Sequence, residues 1–152
     1  MDMATLHIFR GRPHETLSWL DRIEEIDPIR YQYISRTHRS EASYMIGNYA
    51  EAARILSFVK PMPVRRGLWM AAALAKAGHP EKSAPYLAAF AEAYPELDPL
   101  AVAAHTYAYE HEADTEHLLD GLRLAIAANP MGTPSNAADQ ACTIQQDFTS
   151  PS

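Results

Sequence analysis

Gly11-Arg12-Pro13-His14-Glu15, Gly47-Asn48-Tyr49-Ala50-Glu51 and Gly78-His79-Pro80-Glu81 are three copies of one phrase, and they decide the fold. The glycines lie 36 and 31 residues apart, and a leucine follows each of them nine positions later. Another large apolar residue follows at twelve, and in two copies a proline ends the stretch at seventeen. A period of about 20–50 residues is typical of solenoids built from helical hairpins. The sequence therefore predicts an all-α solenoid of about three helical hairpins.

Apolar spacing between the Gly and Pro breaks predicts the individual helices. They cover residues 16–26, 29–46, 49–60, 64–77, 81–94 and 100–109, with a final amphipathic helix from about residue 111. Residues 1–10 resemble the end of a helix, so the first hairpin is expected to be incomplete. The final helix, with Asp114 or Thr115 as its N-cap, is expected to cap the solenoid.

Two regions of different composition are expected along the chain. Residues 1–126 are predicted to form the solenoid domain. Residues 127–152 are rich in Pro, Ser, Thr, Asn and Gln and hold few apolar side chains. Such a segment cannot bury enough surface to offset its chain entropy, so a disordered polar tail is predicted.

Charge and cysteine content limit the classes of partner and location. The net charge is -6, with 10 Lys/Arg and 8 Asp/Glu in residues 1–66 but 3 and 11 in the rest. This acidic balance argues against a nucleic-acid partner and indicates a solvated acidic face on the last helices. Cys142 is the single cysteine, and no signal peptide or apolar run of about 20 residues is present. A cytoplasmic protein without membrane contact is the expectation.

The histidines do not form a catalytic or metal-binding pattern. His105, His111 and His117 are six residues apart, and a spacing of six does not place successive side chains on one helix face. His111-Glu112 begins like a zinc-protease motif, but Thr115 stands where the second histidine is needed. The six glycines never cluster into a phosphate loop, and no Gly-x-Ser-x-Gly elbow occurs. We therefore predict no enzyme activity, no metal and no cofactor.

Four large side chains are candidates for the core or for a binding hot spot. They are Trp19, Phe58, Trp69 and Phe90. Packing between repeats is their expected role, and an exposed member in a groove would be a hot spot for a partner.

The glycine phrase and its surroundings resemble the tetratricopeptide repeat. That family has a glycine in the hairpin, small residues seven before and five after it, a large apolar residue at nine and a proline at seventeen. The matching residues are Ser40 and Ala71 before the glycine, and Thr16, Ala52 and Ser83 after it. The aromatic residue usual eleven before the glycine is absent, since Arg36 and Gly67 stand there.

The resemblance implies a function and a binding surface. In this repeat class the first helix of each pair lines a concave groove that binds a peptide or helix. The residues carried over to that groove are Ile34, Thr37, Glu41, Tyr44, Arg65, Leu68 and Ala72. The expected function is a non-catalytic protein–protein interaction module.

A second resemblance concerns residues 72–125. The stretches 74–83, Tyr94-Pro95 and 117–125 are similar to the C-terminal repeat region of bacterial adenylate cyclase-like proteins and related regulators. In those proteins a catalytic or DNA-binding domain precedes the repeats, so cyclase activity does not carry over to this sequence. The alternative hypothesis is a remnant without independent activity, which self-associates through an uncapped N-terminal end.

Overall fold

The computed structural model describes residues 3–29 and 32–130, and in these residues every regular element is a helix. This confirms the predicted all-α class for the described part of the chain. The predicted tail falls almost wholly on residues 131–152, which lie outside the described residues. The elements are α1 (Met3–Phe9), α2 (Pro13–Ile26), α3 (Gln32–Met45), α4 (Tyr49–Ser57), α5 (Val64–Lys76), a 3-10 turn (Pro80–Ser83), α6 (Ala84–Ala93), α7 (Pro99–Thr106) and α8 (Glu112–Ala128).

The three glycines of the repeated phrase end α1, α3 and α5 in the same way. Gly11, Gly47 and Gly78 have φ values of 66°, 89° and 90°, in the left-handed region that favours glycine. The amide after each glycine donates to the carbonyl five residues back, at 2.8–2.9 Å. This is the Schellman motif, which closes a helix and reverses the chain. Each following helix therefore packs back on the one before it.

A buried hydroxyl joins the two helices of each hairpin at the same place. The bonds run from Thr16 to the Ala4 carbonyl (3.2 Å), from Ser40 to Ala52 (2.9 Å) and from Ser83 to Ala71 (3.0 Å). In each hairpin the bond joins the residue seven positions before the glycine to the residue five positions after it. Thr16 and Ser83 supply the hydroxyl from after the glycine, whereas Ser40 supplies it from before. The three hydroxyl residues are 0 % exposed, so three hairpins share one contact geometry.

Two helix starts differ from the sequence expectation. The helix predicted from residue 81 opens as a 3-10 turn, and α6 begins at Ala84 with Pro85 early in its first turn, where a missing amide costs no helical bond. α8 begins at Glu112 with His111 at its N-cap, so neither predicted cap residue stands at that position. Thr115 instead accepts from the Tyr109 amide at 3.2 Å and donates to the Tyr107 carbonyl at 3.3 Å, which fixes the segment before α8.

α8, expected to cap the solenoid, packs mainly on α5 of the third hairpin. Just before it, the Glu110 amide donates to the Phe9 carbonyl at 2.8 Å, beside the first glycine turn. Just after it, the Asn129 side chain donates to the Pro80 carbonyl at 2.7 Å, beside the third. The core between hairpins and α8 includes Trp69 and Leu122, both fully buried.

Candidate functional site: the inner face beneath α8

The inner face is the surface of α3 and α5 that faces α8 and the segment before it, and it contains most of the predicted groove. Ile34 and Arg65 are exposed at its edge. The other five predicted residues are buried: Thr37, Glu41, Tyr44, Leu68 and Ala72. The expectation of an open groove therefore does not hold for these five, and at Tyr44 and Ala72 the cover is the chain's own α8.

Tyr44 is the centre of the contact with α8. Its hydroxyl donates to the backbone carbonyl of His117 at 2.9 Å. Its ring lies 5.0 Å from the rings of Trp69 and His117 and 5.1 Å from that of Tyr49. Burial raises the pKa of Tyr44 far above its ordinary value, so the hydroxyl remains a hydrogen-bond donor at any physiological pH.

α8 lies close against α5 at Gly121. A Cβ added at Gly121 would lie 2.3 Å from the Tyr44 hydroxyl and 3.1 Å from both the Cβ and the carbonyl oxygen of Ala72. No larger residue fits without movement of one helix. The neighbouring Leu118, Leu122 and Ala125 are buried on the same side, so α8 presents a narrow apolar stripe with a gap at its crossing point.

His117 forms a second polar contact with the hairpins. The Tyr49 hydroxyl lies 2.8 Å from His117 Nε2. Burial, and then the charge of Lys76, lower the pKa of His117, against the opposing effect of Asp114 and Asp120. The imidazole is therefore neutral at pH 7, and its Nε2 can accept the proton that Tyr49 donates.

The other half of the inner face holds a buried ion pair. Glu41 is 4 % exposed and pairs with Arg66, while His38 Nδ1 lies 3.1 Å from its second oxygen. The Arg66 guanidinium sits 5.7 Å from the centre of the Tyr107 ring, which itself lies 5.2 Å from Trp69. Both carboxylate oxygens of Glu41 are therefore engaged, one by Arg66 and the other by His38.

Two buried polar atoms in this region have no hydrogen-bond partner among the described residues: Trp69 Nε1 and Tyr109 Oη. Burial is the largest cause that raises the pKa of Tyr109. An unpaired buried donor costs about 1–3 kcal/mol. Hydrogen bonding in this region is therefore incomplete at Trp69 and Tyr109, whereas the Tyr44 hydroxyl is paired.

Chemical groups for metal binding do not converge in the described part of the chain. Residues 3–29 and 32–130 contain no set of three or more His, Cys, Asp or Glu side chains placed to hold a metal ion. None of the helices described is both long and apolar enough to cross a membrane. The inner face presents aromatic rings, small residues and hydroxyls to α8.

Three contributors to this surface were not predicted from the sequence: Tyr49, His117 and Gly121. Gly121 carried a usable signal, because a glycine inside an amphipathic helix costs about 1 kcal/mol and so indicates a close approach. Of the four large anchors, Trp69 and Phe90 are buried as expected. Trp19 is only half-buried and Phe58 is 54 % exposed, both outside the inner face.

Comparison with known proteins gives no family assignment. No family model, no curated protein and no solved structure matches the chain.

Proposed function

We propose that this protein is a non-catalytic protein–protein interaction module, a tetratricopeptide-like solenoid whose inner face binds a helix. Three features support the solenoid: matching glycine turns, matching buried hydroxyl bonds, and packing of each helix from α1 to α5 on the next. In this proposal α8 occupies the inner face in the way that a bound helix would, and it is not the start of a fourth hairpin.

The observation that carries the proposal is the contact of α8 with the inner face. Tyr44 donates to the α8 backbone, and Gly121 leaves room for the Tyr44 hydroxyl and Ala72. A backbone carbonyl and a small residue are features that many helices can present, so this surface can accept a helix of another chain. The expected partner is an amphipathic helix with a small residue at the crossing point and leucines on either side.

A peptide of residues 111–130 tests whether the inner face binds a helix that is not covalently attached. The peptide is labelled and titrated, by fluorescence anisotropy, into the wild-type protein and into the Gly121→Val variant. The valine Cβ meets Tyr44 and Ala72, so the variant's own α8 is displaced from the inner face. We expect the peptide to bind the variant at least about tenfold more tightly than the wild type, whose inner face is occupied.

The matched control is the same peptide carrying Gly121→Val, which is expected not to bind either protein. Circular dichroism of the variant must show that α1–α7 keep their helical content. If the Gly121→Val variant is folded but does not bind the wild-type peptide, the inner face is only an interior surface and the proposed function is wrong. If Gly121→Val unfolds the protein, Leu122→Ala, which weakens the packing of α8 by removing a buried side chain, replaces it in the titration.

The remnant hypothesis remains the alternative. It predicts a chain with no partner, low stability and self-association. Thermal unfolding with size-exclusion chromatography separates the two hypotheses: an interaction module is expected to melt cooperatively as a monomer, and a remnant to melt broadly and aggregate. The predicted cytoplasmic location is part of the proposal for an interaction module.

A further inference from the structure

A cavity of about 210 Å³ lies away from the inner face, between α4, α5 and the start of α6. Its floor is apolar, with Ala53, Met70 and Leu74, and its rim carries Arg54, His79 and Lys82. We propose that this cavity binds a medium-chain alkyl carboxylate, with the carboxylate at Lys82 and the chain over the apolar floor.

The charge of the rim indicates an anion. Among the residues that the structure describes, no Asp or Glu lines the cavity. Arg54 is held by Glu51 at 2.7–2.8 Å, and His79 Nδ1 lies 3.7 Å from Glu81. Lys82 is half-buried, and no carboxylate of the described residues pairs with it. A half-buried ammonium group gains most from an anionic ligand that replaces lost hydration.

The apolar part of the ligand follows from the neighbouring surface. Tyr86 also forms a wall of an adjoining cavity of about 270 Å³, which is lined by Met62, Val64 and Gly67. The cavity of about 210 Å³ is smaller than the range of about 300–1,000 Å³ that is usual for drug-sized ligands, so it suits a short alkyl chain. Burial raises the pKa of Tyr86, so this wall stays uncharged. One uncompensated cation beside a long apolar surface fits a monoanionic amphiphile better than a phosphate, which prefers several donors.

Isothermal titration calorimetry of the full chain with octanoate tests the proposal, with octanol as the uncharged ligand of equal chain length. We expect saturable binding of octanoate at one site, at least about tenfold tighter than octanol. Lys82→Met keeps the apolar stem but removes the charge, and should weaken octanoate about tenfold while leaving octanol unchanged.

A substitution that blocks the cavity is the second test of the proposal. Ala50→Phe places a ring at the mouth of the cavity and should abolish binding, whereas Ala88→Phe, at a position of α6 outside the lining, should not. Equal affinity for octanoate and octanol, no octanoate binding, or no effect of Lys82→Met would each overturn the proposal. The proposal would also be wrong if the cavity bound a peptide with a free C-terminal leucine but not octanoate. The ligand carboxylate would then belong to a protein partner.

Discussion

The Tyr44 hydroxyl donates a 2.9 Å hydrogen bond to the carbonyl of His117, which ties the end of α3 to the first half of α8. Only four residues further along α8, Gly121 leaves the space that this hydroxyl occupies. The pair explains how a tyrosine with a polar end can be fully buried beneath a helix. It also makes the position of α8 testable by paired substitutions.

Gly121→Ala is expected to destabilise the protein by about 1 kcal/mol, because overpacking costs about 1–3 kcal/mol and the gain in helix propensity returns about 1. In the Tyr44→Phe background the loss should shrink, since the atom nearest to the new methyl group is gone. Urea unfolding of the four proteins of this cycle measures the coupling energy. Gly67→Ala is the matched control: its Cβ would lie 3.5 Å from Tyr86, and it should stabilise. Equal effects of both glycine substitutions would contradict the close approach.

Two tyrosine-to-phenylalanine substitutions should have opposite signs. Tyr44→Phe removes the bond to His117 and should cost about 1 kcal/mol. Tyr109→Phe removes a buried hydroxyl that has no partner among the described residues, and should raise stability by about 1 kcal/mol. Urea midpoints at constant slope give both values. A clear loss on Tyr109→Phe would mean that its hydroxyl has a partner.

His117 is expected to make folding stability depend on pH. Its folded-state pKa is lowered, chiefly by burial, so the unfolded chain binds the proton more tightly. Its contribution is therefore fully present above the ordinary imidazole pKa of about 6.5 and is lost as the pH falls below it. The measurement is the free energy of unfolding at pH 7.5 and pH 5.5. His117→Gln, which keeps an acceptor for Tyr49, should show a smaller difference; an equal difference would place the pH effect elsewhere.

The three hydroxyl bonds within the hairpins should contribute alike. Thr16→Val, Ser40→Ala and Ser83→Ala each remove one bond and are expected to cost about 1 kcal/mol. Ser57→Ala is the control, because that exposed hydroxyl bonds only within its own helix turn, and a change within about 0.5 kcal/mol is expected. Denaturant unfolding measures all four. If one of the three substitutions left the free energy of unfolding unchanged, the contact would not be equivalent in the three hairpins.

Breaking the buried ion pair should be costly. Glu41→Gln leaves the Arg66 charge uncompensated, and a loss of about 3 kcal/mol is expected. Glu51→Gln affects an exposed pair with Arg54 and should cost less than about 1 kcal/mol. The double variant Glu41→Gln/Arg66→Met should lose less than Glu41→Gln alone. If it loses more, the guanidinium contributes mainly through its packing on Tyr107.

The sequence by itself determined the helical class and the hairpin turns, because these depend on residues close together in the chain. Gly11, Gly47 and Gly78 adopt the left-handed conformation that an L side chain rarely adopts, so their positions mark the turns directly. The sequence also predicted the small residues seven positions before and five positions after each glycine. It did not predict the hydroxyl hydrogen bonds that join these positions.

Only the tertiary structure decided what covers the inner face. The apolar stripe of α8 suits the end of a solenoid as well as its inner surface, so amphipathicity leaves the placement open. The choice rests on contacts between distant segments, Tyr44 with His117 and Ala72 with Gly121, whose geometry no local pattern contains. For that reason Tyr44 and Ala72, expected to face a partner, lie instead beneath the chain's own last described helix.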